Sequence, residues 1–369
     1  MINEYEIGLK NKEILSAFLK ICKSGVEIKL LERYFSELFG KEALGVGSGS
    51  DAIFIILKEI KNKFGAGEII CSDYSCKSIP RAIIKAGFKP VFVDVEESLS
   101  LDISLVKKAI SNETKAILIY HPWGFPHNQN IFEYCRKNKI LCIEDCAKGW
   151  GFHNNKKRLG SMGDYSFFSF RTGKLLHSGS GSIIISKDKI GIPLKKYPKF
   201  LSLFNFIDLF LRKLINLTRP KAVFDYLFDK TEAIRIGNAE AYLTLKQVVS
   251  IKDIGEKRIK NYDKISKTLD KTKFKMIEFN KGEVIPLSFP LLVNKRKEFG
   301  KLFKNCGVDA RAYYVHTNSS EFDSYKSFLN GNSVKISEKI INIPIHEKLK
   351  NREVEKIINV IQNANNQIS

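Results

Sequence analysis

Between about residues 66 and 146 the chain alternates short apolar, β-branched runs with segments of helical periodicity, which is the pattern of parallel βαβ units. The runs are GEIICS (67–72), KPVFVDV (89–95), TKAILIYH (114–121) and KILCIEDC (139–146). Between them stand KSIPRAIIKAG, DISLVKKAIS and NQNIFEYCRKN, each with apolar residues three and four positions apart. Two further runs, GDYSFFSF and GSIIISK, follow with no room for helices, so the later part of the sheet is expected to be connected differently. An open α/β sheet covered by helices follows, with ligands expected beyond the carboxyl ends of its strands.

At 369 residues the chain has material for two packed domains. Its 61 Lys and Arg against 40 Asp and Glu give a net charge of +21, spread along the chain without an interleaved basic and aromatic motif. A lysine-rich solvated surface with an anionic small-molecule partner is therefore expected, and nucleic acid is not. Seven cysteines without a C-x-x-C pair argue against a disulfide framework or a zinc site and for reduced thiols in the cytoplasm. The opening MINEYEIGLKNKEIL lacks the basic start and apolar core of an export signal.

Residues 199–219 place Leu203, Phe206, Ile207, Phe210, Leu214 and Leu217 on one helical face, largely opposite Asn205, Asp208, Arg212, Lys213 and Asn216. The charges exclude a membrane span. Two readings remain: a helix packed on the protein or on a partner subunit, or one lying on the inner face of a membrane, helped by Lys195, Lys196, Lys199, Arg219 and Lys221. From about 236 a long helical stretch leads to a second unit with the strands FKMIEF and PLSFPLLV, the helix RKEFGKLFKNCG and a terminal helix NREVEKIINVIQ.

Three places carry chemistry. GVGSGSDAIFIILKEI (45–60) runs from a glycine and serine turn into a helix, a cradle for an anion or simply a loop capped by Ser50. Asp145, near the end of a strand, could face a protonated heterocyclic nitrogen or cap a helix. Lys174 follows the SFFSF strand and precedes a glycine-rich run; a partly desolvated lysine forms a Schiff base with an aldehyde. Pyridoxal phosphate asks a protein for that lysine, a phosphate cradle and a carboxylate at the ring nitrogen, and the chain offers cradle, carboxylate and lysine in that order.

These stretches and their order along the chain resemble the DegT/StrS family of pyridoxal-phosphate sugar aminotransferases, from roughly residue 30 onward. The matching words include GSGSDAI (47–53), CIEDCAKGWG (142–151), RLGSMGDYSFFSFRTGK (158–174), AYLTLKQV (241–248) and INIPIHEKL (341–349). The resemblance implies the type I fold of pyridoxal-phosphate-dependent transferases: a large domain with a mostly parallel sheet (1–250, with the amphipathic insert 195–230) and a smaller C-terminal α+β domain (251–369). It implies that Lys174 is the Schiff-base lysine, that Asp145 meets the ring nitrogen, and that Ser169, Gly49 and Ser50 hold the phosphate. Glutamate would be the amino donor, a nucleotide-linked keto sugar the acceptor, and a homodimer the assembly, with Arg235 and the insert reaching the partner's site.

The chain departs from the family pattern at several cofactor positions. Lys148 stands where the family has a glutamine, Cys76 where a ring stacks on the cofactor, Leu175 where asparagine follows the lysine, and Ala233 in place of an asparagine. Tyr74 is a candidate replacement for the stacking ring, and His177 is read as a loop residue. A sugar dehydratase, which in this family exchanges the lysine for histidine, and a non-catalytic scaffold are the alternatives.

Overall fold

The computed structural model describes every residue except 23–24, 152–155, 216–230, 270–273, 278–283, 313–319 and 369. Eight strands form one mixed sheet: β1 Glu42–Val46, β2 Glu68–Ser72, β3 Lys89–Val93, β4 Thr114–Tyr120, β5 Leu141–Asp145, β6 Tyr165–Ser169, β7 Ser182–Ser186 and β10 Ser327–Phe328, in the order β1-β7-β6-β5-β4-β2-β3-β10. From β10 to β6 all neighbours are parallel, while β7 runs antiparallel to both β6 and β1. The two runs too close together for helices are thus an antiparallel pair closing a parallel sheet. The central strands read as unbroken apolar runs because helices cover both faces; Ile69, Ile70 and Cys71 of β2 are fully buried.

The helices between the strands are α3 Gly49–Phe64, α4 Ser78–Ala86, α5 Ile103–Ala109 and α6 Asn130–Lys137, preceded by α1 Asn11–Phe18 and α2 Val26–Phe39. After β7 comes α7 Lys199–Ile215, then α8 Asn238–Val248 and α9 Ile251–Thr268. The long helical stretch expected from 236 is two helices, interrupted at Val249, which is 83% exposed, and Ser250. A second, antiparallel sheet joins β8 Lys275–Met276, β9 Phe289–Leu292 and β11 Ile340–Ile343, with α10 Arg296–Asn305, α11 Asn332–Lys339 and α12 Asn351–Ile368 in the same region. Strand β10, from this later part of the chain, adds to the edge of the large sheet. Asp94 fastens that return: its carboxylate accepts from the backbone N–H groups of Val95, Asn330, Gly331, Asn332 and Ser333.

Helix α7 is amphipathic as its sequence predicts, but its polar face is turned inward. Ser202 and Asn205 donate to the buried Glu240 of α8 at 2.9 and 2.8 Å, Arg212 pairs with Asp208 at 2.8 Å, and Leu209 is fully buried. Phe200, Leu203, Phe204, Ile207, Phe210 and Leu211 face outward, beside Leu15, Phe18 and Leu19 of α1. The helix thus packs on the protein, through the side that meets Glu240, a buried carboxylate that must be hydrogen-bonded and recruits polar partners. Leu217, Asn216, Arg219 and Lys221 lie outside the described residues. Among the described residues no helix is long and apolar enough to cross a membrane.

Candidate active site

The strand register brings the candidate residues to one edge of the sheet. Val46 pairs with Ser182, Ser182 with Ser169, Phe167 with Asp145, and Asp145 with Tyr120, so the ends of β1, β6, β5 and β4 and the start of β7 share a row. The loops beyond that row carry the chemistry.

Helix α3 begins at Gly49, with Ser48 as an extended N-cap whose Oγ accepts from Asp51 N–H at 3.1 Å. Gly49 and Ser50 therefore occupy the first helical positions, where N–H groups have no acceptor within the helix and the dipole favours an anion. A Cβ on Gly49 would lie 3.4 Å from both Cβ and Oγ of Ser169 and 3.6 Å from the Phe167 ring, so the turn meets the end of β6 at ordinary contact distance. The turn is held from behind by the 178–182 loop: Ser180 Oγ and Gly181 N–H both donate to Gly47 O, at 2.6 and 2.8 Å. Gly179 and Gly181 have φ values of +90° and +107°, a conformation that a side chain would strain.

Asp145 is 3% exposed, and its Oδ1 accepts from Ala147 N–H at 2.9 Å. Burial pushes its carboxyl up to about 6, against the Ala147 hydrogen bond and the attraction of Lys174 and Lys148. Lys174 and Lys148 are half-buried overall, but their amines lie deep enough for desolvation to dominate. Burial lowers Lys174, opposed first by Asp145 and then by Cys76. Burial also pulls Lys148 down to about 7, helped by the charge of Lys174 and opposed by Glu4, Cys76 and Asp145. Two amines and two carboxylates thus share one poorly solvated space, which is what makes a neutral, nucleophilic amine accessible near neutral pH.

The neighbour of Asp145 points the other way along the strand and has a structural part. Glu144 is fully buried and accepts from Gly160, Met162 and Gly163 N–H at 2.7, 3.0 and 3.1 Å, with His121 Nε2 at 3.1 Å. Because His121 Nδ1 accepts from His127 N–H, the network assigns the ring proton to Nε2. His121, Glu144 and Cys146 place donor atoms within 4.8 Å of one another, yet the imidazole and carboxylate are committed to these bonds. Glu144→Ala should lower stability by about 3 kcal/mol or more, since several buried N–H groups lose their acceptor; chemical denaturation of wild type and variant measures it.

Other expectations fare differently. Cys76 is exposed just before α4, accepts from Ser78 Oγ at 3.2 Å, and lies close enough to both lysines to act on their charges. Tyr74, the candidate replacement ring, is 1% exposed, with its ring 6.3 Å from that of Trp123. Leu175 is buried in a core cluster. His177 is a buried loop residue: Gln247 bonds both its N–H and its carbonyl, and its Nε2 accepts from Gly8 N–H. Arg235 is held within its own chain by both oxygens of Glu32, at 2.8 and 2.7 Å.

Two acids near the site are not singled out in the sequence, although Asp51 lies within the GSGSDAI word. Asp51, in the first turn of α3, is buried and pushed up to about 7, with Glu232 N–H donating to it at 2.7 Å. Its raised affinity for a proton softens the charge it would otherwise set against an anion at the same turn. Glu4, on the N-terminal segment, is pushed to about 7 by burial and acts on both lysines.

Comparison with known proteins gives the chain's family and fold. A model of the DegT/DnrJ/EryC1/StrS aminotransferase family matches residues 10–362. A GDP-perosamine synthase from Vibrio cholerae is 30% identical over 200 residues, 52% of this chain and 54% of that protein. A dTDP-4-amino-4,6-dideoxy-D-glucose transaminase from Shigella dysenteriae is 24% identical over 366 residues, 95% and 93% of the two chains. The chain spans about half the length of the first curated relatives it matches. Among solved structures, a GDP-4-keto-6-deoxy-D-mannose-3-dehydratase from E. coli with bound hydrated pyridoxal phosphate superposes with a TM-score of 0.76 at 19% identity, covering 98% and 99% of the two chains, a likeness of fold.

Proposed function

Since the chain belongs to the DegT/DnrJ/EryC1/StrS aminotransferase family, we propose that it is a pyridoxal-phosphate-dependent aminotransferase that moves an amino group from glutamate to a nucleotide-linked keto sugar in glycan biosynthesis. The observation that carries this reading is the meeting, at one sheet edge, of the Lys174 amine, the buried Asp145 carboxyl and the Gly49–Ser169 contact. Those residues fit the cofactor: a helix N-terminus that meets Ser169 to receive an anion, a desolvated amine at Lys174, and a buried carboxyl at Asp145. When bound, pyridoxal phosphate supplies an aldehyde for amine exchange and a ring that accepts electron density.

The chain's own residues do the rest. Gly49 and Ser50 N–H groups with Ser169 would hold the phosphate, and Asp145 would keep a proton on the ring nitrogen. Lys174 would be the amine that meets the aldehyde and the base and acid that moves the substrate's proton. Lysine at 174 and a hydrogen-bonded, buried His177 support transamination over sugar dehydration.

Incubation with pyridoxal phosphate and borohydride should leave a reduced adduct on Lys174, located by peptide mass spectrometry. Glutamate should then convert the bound cofactor to its amine form, and a panel of nucleotide keto sugars should discharge it. A protein that stays colourless and unmodified would favour the scaffold reading instead.

A homodimer is the assembly in this proposal, in the cytoplasm, where the seven unpaired cysteines remain reduced. The outward row of α7 supports it, because a second copy would remove six large apolar side chains from water. The double variant Phe204→Asp/Ile207→Asp should raise the dimer dissociation constant about a hundredfold or more in analytical ultracentrifugation. A monomeric wild type that binds anionic vesicles through this row would replace the dimer with the membrane-surface reading.

A further inference from the structure

The segment that carries α7 leaves the large sheet and returns to it at one place. Lys195 N–H donates to Ala233 O at 2.8 Å, and Arg235 N–H donates back to Lys195 O at 2.9 Å. The returning chain at once meets the turn that opens α3: Gly47 N–H donates to Ile234 O at 2.9 Å, and Glu232 N–H to Asp51 Oδ1 at 2.7 Å. The base of the insert is thus one support of the 47–51 turn. The 178–181 loop is the other, since Ser180 Oγ and Gly181 N–H both hold Gly47 O.

What fixes that loop comes from α7. Asn205 is 2% exposed and lies on Gly179, where a Cβ would stand 3.0, 3.1 and 3.2 Å from its Cβ, Cγ and Oδ1, tighter than side chains ordinarily pack. The Asn205 amide is itself fixed, because its Nδ2 donates to Glu240 Oε1 at 2.8 Å and to Tyr197 Oη at 3.1 Å. Within the loop, Ser178 Oγ donates to Ser180 O at 2.6 Å, so the chain is tied across the glycine on which Asn205 rests. Contact therefore runs unbroken from Glu240 and Tyr197 to Asn205, from Asn205 to Gly179, and from Ser180 and Gly181 to Gly47.

We infer that Asn205 is a positioning residue of the active site: from α7 it braces the 178–181 loop, and through Ser180 and Gly181 it holds the turn that presents the Gly49 and Ser50 N–H groups to an anion. That the anion is the cofactor's phosphate rests on the aminotransferase reading. A turn ordered in advance binds its ligand without the cost of ordering it at that moment. In this role the insert serves the site of its own chain through its inward polar face, and its outward apolar row is left for assembly.

The test uses the full chain without bound cofactor. Amide hydrogen exchange on peptides covering residues 45–53 reports the turn directly. Asn205→Ala, the milder Asn205→Ser and Ser180→Ala should each speed that exchange about tenfold and leave exchange in β4 and β5 unchanged. Borohydride trapping on Lys174 at graded aldehyde concentrations then compares pyridoxal phosphate with pyridoxal, which lacks the anion. The three variants should raise the half-labelling concentration of pyridoxal phosphate about tenfold and leave that of pyridoxal within about twofold. A turn that exchanges as in the wild type in both Asn205 variants would overturn the inference. An equal loss for both aldehydes would overturn it too, because the damage would then not lie at the anion turn. Faster exchange at 45–53, with neither aldehyde labelling Lys174 in any of the proteins, would keep the brace and sink the cofactor reading.

Discussion

Lys174→Ala should retain the fold and lose transamination by about four orders of magnitude or more, with no borohydride-stable adduct anywhere in the chain. The expected size follows from what the amine does at its place in the structure. It binds the cofactor covalently and then carries the proton, two tasks that no neighbour can take over together. Lys148 is another desolvated amine, on whose charge Lys174 acts. Stability should change little, since Lys174 lies in the half-buried 171–175 turn and brings a desolvated charge to it. Activity of Lys174→Ala within tenfold of wild type, or an adduct on Lys148 in its place, would contradict the assignment.

Much of this was legible in the sequence because parallel βαβ units impose a strong pattern. Buried strands read as continuous Ile, Val and Cys, and the connection between β4 and β5 leaves no choice of where Asp145 emerges. Lys174 could be placed because a short antiparallel return after β6 keeps its loop at the same edge as the end of β5. The sense of α7 could not be read, since periodicity gives two faces but not which one the protein buries. That was decided by Glu240, a residue on another helix whose carboxylate needs Ser202 and Asn205. Tyr74 neighbours Cys76 in sequence, and only the fold reveals that its ring packs near Trp123.

Asp145→Asn should separate what the site needs from what the fold prefers. The neutral amide keeps the side chain's shape but cannot hold a proton on a ring nitrogen, so turnover should fall by about two to three orders of magnitude, or about 3–4 kcal/mol of barrier. In the cofactor-free protein the same change should stabilise. Burial raises the carboxyl from its ordinary value of 3.8 to about 6, so the folded chain holds the proton more tightly than the unfolded one. Its contribution is therefore favourable below pH 4, and is lost as pH rises through 6, leaving a penalty on the order of 2–3 kcal/mol at pH 8. Asparagine bears no such penalty: denaturation of the two apoproteins should converge near pH 4 and favour the variant at pH 8. Saturating cofactor should reverse the order, because the wild-type carboxylate then gains the partner for which its burial is otherwise a cost. An apoprotein variant that is less stable than wild type at pH 8 would mean that Asp145 is held by the fold's own hydrogen bonds, and would remove it from the site.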